Sequence, residues 1–281
     1  MSQASAPIQS TVATRHVIER RRHDLKMRLL TVRRVGRLTP NMVRITLTGD
    51  DLSGFVSASF DDHVKLFFAP PGQDRPVLPQ PGPNGAVFPE GATRPAARDY
   101  TPRRYDPVAN ELDIDFALHD AGPATEWAAA AQPGQMLGVG GPRGSFVIPD
   151  DFDWHLLIGD ETAVPAIGRR LEELPATASA IVIAEVASAA EELAWQSRAA
   201  LTVTWLHRGS EAPGSADRLE AAVNGLRLPA GDGYTWVAGE SDVAKRLRRR
   251  LLDQHGLRKE WLRAAGYWKR GATALHETHD D

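Results

Sequence analysis

From Lys26 the chain runs in short, β-rich or alternating stretches: Met27 to Val35, Met42 to Leu47, His63 to Phe68, Glu111 to Leu118 and Met136 to Val139. A period of two puts alternate side chains on one face of a strand, so each stretch reads as half-buried β structure. Thr39-Pro40-Asn41, Asp106-Pro107 and Gln132-Pro133-Gly134 separate them with turn formers, the punctuation of a small antiparallel barrel. Only Gly122 to Ala131 reads as helix in this half. Residues 70–97 are dense in proline and glycine and are expected to form a long loop between two barrel strands.

Past Asp150 the pattern changes. The apolar runs HLLIG (155–159), AIVIAEV (180–186), LTVTWL (201–206) and YTWVAG (234–239) alternate with amphipathic segments. Those segments pass through Arg169 and Leu171, lie near Arg218 to Val223, and run from Ser241 to His255. Strands apolar throughout suit burial on both faces, which predicts a parallel β/α sheet. The break falls near Pro149-Asp150-Asp151. The expectation is a two-domain β + α/β protein: a flexible arm over 1–25, a six-stranded antiparallel β-barrel over 26–149, and a parallel-sheet nucleotide-binding α/β domain over 150–281 with a C-terminal extension. No internal repeat of fixed period is visible.

Length and composition agree: 281 residues, 42% hydrophobic and 25% charged, suit two globular domains. A net charge of −3 argues against a nucleic-acid partner. The basic run Arg20 to His23 reads as part of a solvated arm. The basic helix with Lys245, Arg246, Arg248, Arg249 and Arg250 reads as the solvent side of a stripe formed by Leu247, Leu251 and Leu252. The chain has no cysteine, which excludes disulfides, thiolate-bound clusters and a cysteine nucleophile, so redox chemistry requires a bound cofactor. The first residues lack an apolar signal core and no window holds eighteen unbroken apolar residues, so a soluble cytoplasmic monomer without a membrane partner is expected.

Arg98-Asp99-Tyr100-Thr101 is the most informative chemistry. On a strand Arg98 and Tyr100 share a face, so a guanidinium can grip a phosphate beside an aromatic plane able to cover an isoalloxazine or ribityl chain, while the backbone near Thr101 reaches the reactive edge. Gly122-Pro123-Ala124-Thr125 opens a helix whose free N–H groups and positive end suit a pyrophosphate. Gly159-Asp160-Glu161-Thr162 follows the first parallel strand, where a doubly wound sheet presents a helix start to a nucleotide. Its two acids disfavour direct pyrophosphate contact. Glu185, ending the next strand, suits a ribose 2′-hydroxyl and NADH; His207 and Arg208 instead suit a 2′-phosphate, so the choice of NADPH or NADH stays open.

Seven segments in order, DDHVKLFF (61–68), RDYTPRRYD (98–106), DFALHDAGPATEWA (115–128), GPRGSF (141–146), GDETAVPAI (159–167), VAGE (237–240) and GYWKRG (266–271), resemble the siderophore-interacting protein family, within the ferredoxin-NADP reductase superfamily. The resemblance runs from Lys26 to Gly271. It implies that the barrel binds FAD and that a nicotinamide nucleotide docks on the second domain. Ala117, Leu118 and His119 are then expected along the flavin, with a structural His119 as the other reading and no metal site. Gly122, Ala124 and Thr125 would face the pyrophosphate, and Thr162 the nicotinamide or flavin. Trp268 would cover the flavin face or pack against its domain.

The implied activity is that of a cytoplasmic ferric-siderophore reductase, with hydride passing from NADPH or NADH to FAD and single electrons to chelated Fe(III). No acid, base or nucleophile of the protein is required. Lys65, Arg143, Lys269 and Arg270 are the candidate contacts to the ferric siderophore, since a cationic pocket would hold an anionic chelate with loose shape selectivity; Arg143 is alternatively a pyrophosphate ligand. A general flavin reductase or electron transferase, and a non-catalytic siderophore-binding protein, are the alternatives.

Overall fold

The computed structural model describes residues 15–82, 85–118, 122–271 and 277–278. The first half holds β1 (Glu19–Arg22), β2 (Met27–Thr39), β3 (Met42–Thr48), β4 (Val64–Phe68), β5 (Gln80–Gly82), β6 (Gly85–Val87), β7 (Ala96–Tyr100), β8 (Arg104–Asp106), β9 (Glu111–Ala117), helix α1 (Pro123–Ala130), β10 (Met136–Gly140) and β11 (Gly144–Val147). Seven strands form one curled antiparallel sheet, a half-barrel, in the order β7-β4-β10-β2-β3-β9-β8. The pattern predicts six. The seventh, β8, is only three residues long, too short to display an alternation. Within the Pro/Gly-rich stretch, β5 and β6 pair as a small antiparallel two-stranded ladder.

Alternate residues of the sheet meet on its inner face. Leu30, Val32, Ile45, Leu47, Leu66, Leu112, Ile114 and Phe116 form one apolar cluster, which α1 covers with Ala124 and Ala128. Full burial of each large aliphatic side chain is worth about 1.5–3 kcal/mol. The helix starts where Pro123 needs no N–H partner and continues through an alanine-rich run of high helix propensity.

The second half holds β12 (Trp154–Gly159), α2 (Val164–Glu173), β13 (Ser179–Val186), β14 (Ala200–His207), α3 (Asp217–Asn224), β15 (Gly233–Glu240), α4 (Ser241–His255), β16 (Leu262–Trp268) and β17 (Glu277–Thr278). Five parallel strands lie in the order β14-β13-β12-β15-β16, with β17 antiparallel at the edge. The order reverses beside β12, which opens a crevice at the strands' C-terminal ends. β16 lacks an unbroken apolar run, because Arg263, two alanines and Gly266 dilute it, so its place in the sheet is a finding of the tertiary structure. In α4, Leu247 and Leu251 are buried as the stripe predicts. Arg248 is buried too, while Arg246 and Arg250 pair with Glu220 of α3 at 2.6 and 2.7 Å.

The described part of the arm is docked. β1 pairs with β11, and His16 is buried with its ring stacked 4.2 Å from Phe152 and Nδ1 2.8 Å from Asp151. No helix among the described residues is long and apolar enough to cross a membrane.

The halves are joined by apolar contacts and committed charges. Met42 and Ala117 meet Val164 and Val186, and Phe60 meets Trp236 edge-on at 5.3 Å. Arg169 of α2 donates to the Ser57 hydroxyl and carbonyl and to the Pro102 carbonyl at 2.7, 3.0 and 2.9 Å. Arg103 is buried and donates through both terminal nitrogens to Glu172 of α2, with Asp115 of β9 beside it at 3.8 Å. Arg263 of β16 donates to Asp61 at 2.8 Å, and Glu191 accepts from Thr39 and Asn41 of the β2-β3 turn. Replacing Arg103 by Ala removes charged hydrogen bonds from a buried seam and is expected to cost about 1–3 kcal/mol, read as a lower urea midpoint.

Candidate functional site

On β7, Arg98 and Tyr100 lie opposite Leu66 and Val64 of β4, and therefore on the inner, α1-covered face. The Tyr100 ring sits 4.4 Å from that of Phe116, and burial pushes its hydroxyl well above the usual phenol range, opposed by the nearby Arg98 charge. The Arg98 guanidinium donates to the carbonyl of its own neighbour, Ala97, at 2.8 Å. At the start of α1, Gly122 makes no side-chain cap, and a Cβ placed there would meet nothing within 4 Å. A guanidinium, uncapped helical N–H groups at Ala124 and Thr125, and open space at Gly122 form a donor set that fits the pyrophosphate of FAD. Ala117 ends β9 and Leu118 follows it in the same region. The Leu118 amide donates to the Asn41 carbonyl at 2.7 Å, which holds the end of β9 against the β2-β3 turn. His119 lies outside the described residues.

Thr101 is buried just past β7, and its side chain lies beside the Tyr267 hydroxyl of β16, so the first half's motif adjoins the last parallel strand. Trp268 follows, and its indole N–H donates to Asp160 Oδ2 at 2.8 Å. Asp160 also accepts from the Glu240 amide at 3.1 Å, and through Oδ1 from the Thr162 amide and hydroxyl at 2.9 and 2.5 Å. The close approach of Asp160 requires glycine at 239, where φ is +148° and a Cβ would lie 2.6 Å from Oδ2. Glu161 accepts two hydrogen bonds from Arg208, both of 2.7 Å. Burial raises the Glu161 carboxyl above its usual range, Asp160 adds to this, and Arg208 opposes it. Glu185 is buried at the end of β13, also raised by burial and by Asp160. The two acids of the turn thus engage groups inside the protein, one on three strand ends and one on Arg208.

The candidate substrate cations fall into two groups. Lys65 lies on the outer face of β4, away from Arg98, and pairs with Asp99 at 2.7 Å. It is opposite Gly140 of β10, and the exposed Arg143 follows three residues later, so both stand at one end of the sheet. Lys269 and Arg270 continue from β16: Lys269 is 3.6 Å from Asp242, and Arg270 donates to the Pro213 carbonyl at 2.6 Å. Tyr267, Asp160 and Arg103 all lie within the quoted segments 266–271, 159–167 and 98–106, but their organising contacts are with residues distant in sequence, which local pattern does not reveal.

Comparison with known proteins joins these features. Residues 31–146 match the siderophore-interacting FAD-binding domain, and residues 152–271 match the siderophore-interacting protein model. The chain belongs to the siderophore-interacting protein family. It is 41% identical over 254 residues to the NADPH-dependent ferric-chelate reductase of Escherichia coli, covering 89% of this chain and 96% of that protein. It is 36% identical over 258 residues to the ferric vibriobactin reductase ViuB of Vibrio cholerae, covering 89% and 93%. A solved siderophore utilization protein from T. fusca has 44% identity and a TM-score of 0.85, covering 92% of this chain and 98% of that one.

If Arg98 holds the FAD pyrophosphate, Arg98→Ala is expected to weaken FAD binding about 10–100-fold, measured by flavin fluorescence on titrating FAD into the purified protein. An unchanged dissociation constant would remove Arg98 from the site.

Proposed function

We propose that this protein is a cytoplasmic ferric-siderophore reductase that draws electrons from NADPH or NADH through FAD. The observation that carries the reading is the contact of Met42 and Ala117 with Val164 and Val186, with Thr101 beside Tyr267, which joins the half bearing Arg98 and Tyr100 to the crevice end of the parallel sheet. Two nucleotides held on separate domains exchange a hydride only if their reactive ends meet, and this contact brings their candidate binding regions together. The relatives named as ferric-chelate and ferric vibriobactin reductases support the same activity.

When bound, FAD would accept a hydride from the nicotinamide and supply its two electrons singly to chelated Fe(III), a change that weakens iron binding by hard oxygen ligands. The protein's own work is placement. Arg98, Gly122, Ala124 and Thr125 would hold the pyrophosphate, and Tyr100, Ala117 and Leu118 would line the flavin. Trp268, fixed by Asp160, and Thr162 would border the nicotinamide. Lys65 and Arg143 form the cationic end of the sheet on which an anionic ferric siderophore would dock, with Lys269 and Arg270 supplying positive charge from the second domain. We read the chain as a monomer without nucleic-acid or membrane partners, in keeping with its slight net negative charge.

The purified protein loaded with FAD is expected to be yellow, to bleach on adding NADPH or NADH without oxygen, and to recover its colour on adding a ferric siderophore. Failure to bind FAD would sink the reading; recovery with free flavin or a protein acceptor but not with the iron chelate would favour a general reductase. Lys65→Ala is expected to raise KM for an anionic ferric chelate about 2–5-fold, with a smaller change for a neutral one, the scale of one partly exposed charge. Equal changes for both chelates would place Lys65 outside the substrate site.

A further inference from the structure

The ends of β12, β13 and β14 form one side of the crevice, and the charges there are unevenly free. Arg208, at the end of β14, is committed to Glu161 by two hydrogen bonds, with both side chains largely buried at 10% and 13% exposure. Arg218 is similarly held by Glu211, through bonds of 2.8 and 2.5 Å. Glu185 is only 2% exposed, and its Oε2 has no hydrogen-bond partner among the described residues. The charges acting on it are Asp160, Arg208, Arg218 and Glu211. A buried carboxylate oxygen without a donor is costly, and a ligand hydroxyl would satisfy it.

Resting on the nicotinamide-dependent reading above, we infer that this crevice selects a ribose with a free 2′-hydroxyl, and hence NADH over NADPH. Glu185 is the specificity-determining acceptor, and Glu161 withholds the guanidinium that a 2′-phosphate would need. A hydroxyl donates to Glu185. A 2′-phosphate adds roughly two negative charges beside a buried acid and must compete with Glu161 for Arg208. The local balance therefore opposes the phosphate even though an arginine occupies the position at which sequence patterns place a phosphate ligand. Such a preference would set this chain apart from the Escherichia coli relative, which is named for NADPH.

The test is calorimetric titration of the FAD-loaded full chain with NAD⁺ and NADP⁺, and with AMP and its 2′-phosphorylated form as fragments that cannot react. Binding of the 2′-hydroxyl member at least about tenfold tighter in each pair is expected, the scale of one charged hydrogen bond. Glu161→Gln should strengthen NADP⁺ binding about threefold or more with little change for NAD⁺, because Arg208 loses its charged partner. Glu185→Gln should weaken NAD⁺ preferentially. NADP⁺ binding as tightly as NAD⁺ to the unaltered chain overturns the inference, whatever the variants do. An unmoved ratio in a folded Glu161→Gln protein overturns the role given to Glu161. Binding of none of the four probes overturns the nicotinamide-dependent reading itself, whereas tight but reversed selectivity leaves that reading standing and removes only this inference.

Discussion

The carboxylate of Asp160 is the constraint on which the site depends. Standing at the end of β12, it takes hydrogen bonds from its own turn through Thr162, from the end of β15 through the Glu240 amide, and from the end of β16 through the Trp268 indole. One buried acid thereby fixes three neighbouring strand ends, and Gly239 leaves the space for it. Hydrogen bonds to an ionised acceptor are stronger than neutral ones, so this arrangement offsets much of the cost of burying the charge. A residue that would repel a phosphate if exposed instead organises the crevice from within.

From Trp268 the chain of contacts leads through Tyr267 to Thr101, and so to the strand carrying Arg98 and Tyr100. Interdomain surfaces in a single chain permit relative motion unless the contact is extensive and well packed. Here the apolar contacts of Met42, Ala117, Val164 and Val186 are flanked by Arg103, Arg169 and Arg263, each reaching from one half to a partner in the other. Directional charged bonds around an apolar patch define the relative placement of the halves more narrowly than burial alone, because burial is indifferent to small rotations. Transfer between two bound nucleotides depends on that placement.

The basic residues show how little a charge means before its partner is known. Arg103, Arg208 and Arg250 are each a cation in the sequence, but Arg103 is bound to Glu172, Arg208 to Glu161 and Arg250 to Glu220. Arg98 donates instead to a neighbouring carbonyl, a bond that leaves its charge without a carboxylate in that contact, and it stands on the face that α1 covers. The difference between a phosphate ligand and a structural cation is set by these neighbours, many of which are distant in sequence.

Local pattern determined much of this protein. Period-two alternation marks β3 and β9, unbroken apolar runs mark β12, β13 and β15, and Pro123 marks the start of α1, because strand burial and helix initiation act within a few residues. The Arg98 to Thr101 motif and its sharing of a face by Arg98 and Tyr100 were legible for the same reason. β8 and β16 were not, since one is too short to alternate and the other owes its place to pairing with β15. Only the tertiary structure decided that Lys65 faces away from Arg98, that Glu161 occupies Arg208, and that Asp160 closes the strand ends. Each depends on residues brought together across tens of positions, where the balance of burial and charge is a property of the packed molecule.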